Sequence, residues 1–190
     1  MSNWDQVKWT QARQVADLME LNPKLLEDPD SDPETGYRKL LDKNEVSAAV
    51  QYLGHALPRF EAVAWAAHML QAWSQSEQRE LAEQQALDSV QRWIEEPTED
   101  YRRAAYEVGE KVRGHSPERL LAQAVFMSGG SISEPDLPAV QPPQHVCGRL
   151  ASGSVLVGAY RTADPKAALA AACEAGEKIA ALGVQGLSAK

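Results

Sequence analysis

Cysteine is scarce: the chain holds two in 190 residues, Cys147 and Cys173. That excludes a disulfide scaffold and predicts two free, buried, small apolar side chains. Alternating β-branched runs are nearly absent, so no sandwich or barrel can be assembled. Long hydrophobic runs are missing too. The most apolar stretches, Val155 to Tyr160 and Ala167 to Cys173, fall well short of the roughly 20 residues that span a bilayer. Basic charge is also in deficit, with 19 Lys and Arg against 27 Asp and Glu and a formal net charge of −8. Such a chain repels phosphate backbones and anionic lipids unless its bases cluster. The nearest cluster, Arg102, Arg103, Lys111 and Arg113, is interrupted by Glu107 and Glu110. Nucleic acid and membrane are therefore not expected partners. The opening Met1-Ser2-Asn3-Trp4-Asp5 puts an acid where a signal peptide needs a base, so the expected location is cytoplasmic.

What is present is helix. Apolar residues recur at three- and four-residue spacing, with Ala, Leu, Glu, Gln and Arg between them. A first helix is expected from about Trp4 or Thr10 to Leu21, with Val15, Leu18 and Met19 inward and Pro23 stopping it. Residues 27–34 carry five acids and two prolines without a base, which predicts a solvated loop. Asn44 is read as the cap of a helix carrying Val46, Ala49, Val50 and Leu53. The segment from Pro58 to Trp73 is apolar nearly all round and is expected to be the central buried helix. Ser74 and Glu77 form a candidate capping box for the next one. Thr98, Ser116-Pro117 and Asp164-Pro165 mark three further starts.

The predicted fold is all-α, an irregular bundle of about eight or nine helices, with a HEAT-like helical stack as the alternative. It forms one domain over 1–183, with an acidic loop at 27–34, a proline-rich loop at 128–145 and a frayed tail at 184–190. Leu169, Cys173, Gly176 and Ala180 make a smooth stripe on the last helix. It is expected to close onto the helix that starts at Val146, with a homodimer as the other option.

Chemistry is hard to find. Asp28, Asp30 and Asp32 fit the start of a calcium loop, but Pro33 and Lys39 occupy the places that require Gly and Glu. His145 and Cys147, with Cys173, lack zinc spacing, and His68 reads as a hydrogen-bonded core histidine. No nucleophile elbow or phosphate-binding glycine motif occurs. No catalytic, metal or cofactor residue is therefore assigned. Three surfaces remain, one of them the proline-rich loop Glu134 to Gln144, which is pre-extended and cheap to order against another protein or serves as a strap across its own domain. Arg102 and Arg103, with Ser128, Gly129, Gly130 and Ser131, could hold an anion under the loop or clamp it structurally. Trp4 and Trp9 could anchor a partner protein or tuck against the bundle.

The run Ala56-Leu57-Pro58-Arg59-Phe60-Glu61-Ala62-Val63-Ala64-Trp65-Ala66 is followed by Glu96-Pro97-Thr98-Glu99-Asp100-Tyr101-Arg102-Arg103-Ala104-Ala105. Ser128-Gly129-Gly130-Ser131 and Pro142-Pro143 complete the series. Together these resemble an uncharacterised, mainly proteobacterial family, a domain of unknown function, over roughly residues 37–160. The resemblance implies a helical protein found near type VI secretion genes, and supplies no catalytic residues. The expected function is that of a non-enzymatic adaptor or accessory factor for another protein. The alternative is a small-molecule binding protein or enzyme with a pocket under the 128–145 loop.

Overall fold

The computed structural model describes residues 3–74 and 79–187. Among them are nine α-helices: α1 (Ala12–Leu18), α2 (Pro33–Asp42), α3 (Val46–Ala56), α4 (Arg59–Trp73), α5 (Leu81–Glu95), α6 (Glu99–Gly109), α7 (Pro117–Phe126), α8 (Val146–Ala159) and α9 (Pro165–Leu182). Several begin as their local chemistry dictates. The side chains of Thr98, Ser116 and Asp164 accept the backbone N–H of Tyr101, Arg119 and Ala167, satisfying first-turn donors that have no partner inside a helix.

Helix α4 is the apolar centre expected of it, with Ala62 through Ala67, Met69 and Leu70 buried. Trp65 is fully buried, and its indole N–H donates to the Ala172 carbonyl at 2.9 Å, so the largest core side chain leaves no polar atom unmet. Helix α8 returns from the far end of the sequence to pack on α3, α4 and α7. A repeat stack would join neighbours only; these long-range pairings make the fold an irregular bundle. The α3–α8 crossing is close. A Cβ added at Gly148 would lie 2.5 Å from the Gly54 carbonyl oxygen, and one at Gly54 would lie 2.7 Å from that of Gly148. The small-residue stripe of α9 does close internally, but on α3: a Cβ at Gly176 would meet Leu53 at 2.6 Å.

Several local expectations are corrected. Helix α1 spans only Ala12–Leu18, and the chain reverses at Glu20 with φ +55°, before Pro23. Residues 3–11 form no helix; they cross the bundle as an arm pinned by the Gln6 N–H on the Ala180 carbonyl at 3.0 Å. The acidic loop is not simply solvated. Asp32 caps α2, which starts at Pro33, and Glu34 is buried and paired with Arg38 at 2.8 Å. Glu27 pairs with Lys39 and Lys43, and Asp30 with Arg13. These bases come from elsewhere in the sequence, which a local charge count does not see. Asn44 takes φ +60° as a turn residue, leaving Glu45 at the N-cap of α3. Helix α5 is capped by Glu80 with Glu83, while Glu77 of the expected box lies outside the described residues. Val184–Leu187 forms a 3-10 turn whose Leu187 packs on the core; residues 188–190 lie outside the described residues.

Candidate functional site

Helices α6 and α7 and the segment that follows them bring Arg102, Arg103 and Ser128 to Ser131 together, as the sequence grouped them. The arginines, however, are already engaged. Arg102 is 4% exposed. Its Nε and Nη2 donate to the two Glu99 carboxylate oxygens, each at 2.7 Å, Nη1 donates to the Phe126 carbonyl, and Nη2 also reaches the Ser131 carbonyl at 2.7 Å. The guanidinium lies over the Phe126 ring, 4.6 Å from its centroid. Arg103 donates to Glu99 at 2.7 Å and to the carbonyls of Ser131 and Ser133 at 3.1 and 3.0 Å.

A planar fork with fixed donors is well matched to one carboxylate and several carbonyls. Here it ties the end of α7 and the start of the loop to the first turn of α6. The Arg102 and Arg103 guanidinium groups hold the Glu99 carboxyl below its usual range, against a smaller opposing effect of burial. An incoming anion would have to displace that carboxylate. The anion reading of Arg102 and Arg103 is therefore replaced by the structural clamp.

The four loop residues serve the same end. The Ser128 hydroxyl donates back to the Val125 carbonyl at 2.7 Å. Gly130 has φ +65°, and a Cβ there would crowd Arg102 and Glu99 at 2.9 Å, so both its backbone angle and its packing require glycine. The Ser131 hydroxyl oxygen accepts the N–H groups of Ser133 and Val140, both at 3.1 Å, and the Ile132 N–H reaches the Val140 carbonyl at 2.9 Å. The neck of the loop is thereby closed. A concavity of about 290 Å³ does lie beside it, lined in part by Phe60, Trp93 and Ser128, but its charged wall is the Arg102–Glu99 pair itself.

Beyond the neck the character changes. Residues 134–141 are all exposed, with Leu137 at 60% and Val140 at 51%. Pro135 and Pro138 stiffen this tip, and 131–144 contain Glu134 and Asp136 without a Lys or Arg.

The N-terminal anchors are corrected. Trp4 is 5% exposed, 5.1 Å from the Tyr37 ring centroid to centroid. Trp9 is half-buried, and its indole N–H donates to the His55 carbonyl at 3.1 Å. The arm stays attached by putting both rings into the bundle, so neither is held out for a partner.

The expectation of a buried His68 is corrected. His68 is exposed on α4, and His55 is the buried one at 7%, with Nδ1 2.8 Å from the Gln51 carbonyl. Cys147 and Cys173 are buried and free; burial raises both thiols above their usual range, Cys147 to about 12. Among the described residues, no three His, Cys, Asp or Glu side chains converge on a point where a metal would sit. No described helix is long and apolar enough to cross a membrane.

Residues 36–180 match a family of unknown function, DUF6931. The chain belongs to that family. The match begins at α2 and runs past Tyr160 through most of α9, further than the sequence motifs alone suggested, and leaves out the N-terminal arm and α1. No curated protein and no solved structure matches the chain. The DUF6931 region thus contains both the arginine clamp and the whole Ser128–His145 loop. Sequence reasoning passed over a cavity at the end of α3 altogether. Its walls come from the arm, α1, α3, α4 and the start of α8, and no local spacing links them.

Proposed function

We propose that this DUF6931 protein is a non-enzymatic helical interaction module that engages another protein through the tip of the Ser128–His145 loop. The observation that carries this reading is the contrast within the loop. Its neck is tied down by two arginines and a serine, while its tip holds Leu137 and Val140 out in water. Exposed aliphatic side chains on a pre-organised, proline-stiffened segment are cheap to order against a partner. The complementary surface is an extended groove with two apolar pockets and a basic rim facing Glu134 and Asp136. The resemblance to a proteobacterial family found near type VI secretion genes supports extending this reading to a cytoplasmic adaptor or accessory factor of that system.

The test is capture of a stoichiometric partner from the native bacterium by tagged wild-type protein and by the Leu137→Ser/Val140→Ser double variant. Both positions are exposed, so the variant should keep its stability within about 0.5 kcal/mol. A partner retained by the wild type and lost by the variant is expected. A partner held equally by both would remove the loop from the interface.

A further inference from the structure

The chain has 27 acidic residues against 19 basic ones, yet one cavity has no acid in its wall. It encloses about 270 Å³ where the arm crosses the end of α3, and its only charged wall residues with aliphatic stems are Lys8 and Arg59. Among the described residues neither forms an ion pair; the hydrogen bond of Arg59 is a 3.4 Å contact to the Ser128 carbonyl. Trp9, Leu18, Leu57 and Pro58 supply apolar walls. The Trp9 ring is held in place by its bond to the His55 carbonyl, which also removes one exposed acceptor at the carboxyl end of α3.

Two further features add positive potential to this corner, and one opposes it. Pro58 and Gly148 bring the first turns of α4 and α8 to the cavity, and neither helix has a side-chain cap; α4 carries Glu61 in its first turn, whereas α8 carries no acid there, so the positive end of the α8 dipole is left without a local carboxylate. The His55 ring is part of the wall; its Nδ1 donates to the Gln51 carbonyl, which leaves Nε2 as an unpartnered acceptor open to a ligand hydroxyl or N–H. Behind it, Arg149 and His145 are close enough to oppose a positive charge on His55. Arg149 meets Glu20 only at 3.7 Å, with both side chains largely exposed.

An inorganic anion would satisfy the charges and leave the apolar walls wet. A neutral apolar molecule would fill the walls and leave two cations unanswered. We infer that the cavity binds a small organic carboxylate with an apolar body, the carboxylate meeting Arg59 and Lys8 and the body lying against Trp9, Leu18 and Leu57. The volume falls just below the usual range of about 300–1,000 Å³ for small-ligand sites, which limits the body to about one aromatic ring with a short acid chain. This site uses neither Leu137 nor Val140, so it stands or falls separately from the loop interface.

The experiment titrates the full chain with phenylpropionate, with its neutral amide and with inorganic phosphate, following tryptophan fluorescence and backbone amide chemical shifts. Phenylpropionate is expected to perturb residues 54–59 and 148, with a Kd of ~1 mM or tighter. The amide and Arg59→Gln should each weaken binding about tenfold. Lys8 is exposed, so Lys8→Gln folds whatever happens to Arg59→Gln, and it should weaken binding several-fold. The inference is overturned if phenylpropionate perturbs nothing in this wall, if acid and amide bind alike, or if phosphate binds as tightly as phenylpropionate. It is overturned equally if the folded variants bind as the wild type does.

Discussion

Replacing Arg102 with alanine removes a side chain that is 4% exposed and makes four hydrogen bonds. The Phe126 carbonyl loses its charged donor, and an acceptor left buried and unmet costs about 1–3 kcal/mol; the Ser131 carbonyl keeps Arg103 at 3.1 Å and loses only the net value of one bond, about 0.5–1.5 kcal/mol. The loss at Glu99 is smaller, because its side chain is 49% exposed and water can take over its carboxylate. Loss of the contact with the Phe126 ring adds about 0.5–1 kcal/mol. The sum is about 3–5 kcal/mol. For a chain of this size that lowers the Tm by roughly 6–20 °C. Urea unfolding followed by tryptophan fluorescence measures it directly. Arg103 is 26% exposed, so Arg103→Ala should cost only about 0.5–1 kcal/mol. Arg102→Lys should recover less than half of the loss, since an ammonium cannot reproduce the fork. An Arg102→Ala variant within about 1 kcal/mol of the wild type would refute the clamp and return Arg102 to the list of candidate ligand-binding groups.

Glu118 is 1% exposed and pairs with Arg79 at 2.7 Å and Arg161 at 3.4 Å; Glu118→Ala strands the buried Arg79 and should cost about 3–5 kcal/mol in the same urea assay. Gly148→Ala drives a methyl into the Gly54 carbonyl, and because backbone on both sides must move, a loss of about 1–3 kcal/mol or more is expected from the Tm. Burial, reinforced by Arg149 and His145 and partly offset by the Gln51 carbonyl, lowers the His55 pKa. The unfolded chain therefore takes up this proton first, so the contribution of His55 is intact above the unfolded value of about 6.5 and is lost as the pH falls below it. Urea midpoints between about pH 7.5 and pH 5.5 should decline less steeply in His55→Gln than in the wild type; parallel declines would disprove the assignment.

The helix starts were legible because a cap is a short-range event. Thr98, Ser116 and Asp164 each accept a backbone N–H three residues ahead, so the sequence window contains both partners. The apolar periodicity of α4, α5 and α7 was legible for the same reason. Asn44 was misread because the same residue type serves caps and left-handed turns, and the backbone around it adopts the second. His68 was misread because a helix apolar on nearly every side still has one face turned to water, and composition does not say which. The Arg102–Arg103 pair and the Ser128–Ser131 motif were correctly grouped, but their chemistry was not readable. Glu99, whose one carboxylate pairs with both, is only three or four residues away, yet the Phe126 and Ser131 carbonyls that fix the Arg102 guanidinium lie 24 and 29 residues away.

By itself, then, the sequence determined that this chain forms helices, where most of them begin and that no strand competes, since those choices depend on residues within one or two turns of each other. The tertiary structure decided which charges are spent and which remain. Arg102 and Glu118 are consumed by partners brought in from distant segments, whereas Lys8 and Arg59 both line a cavity with no acid in its wall. Burial and long-range pairing are properties of the packed chain, and they separate a structural arginine from one able to meet a ligand.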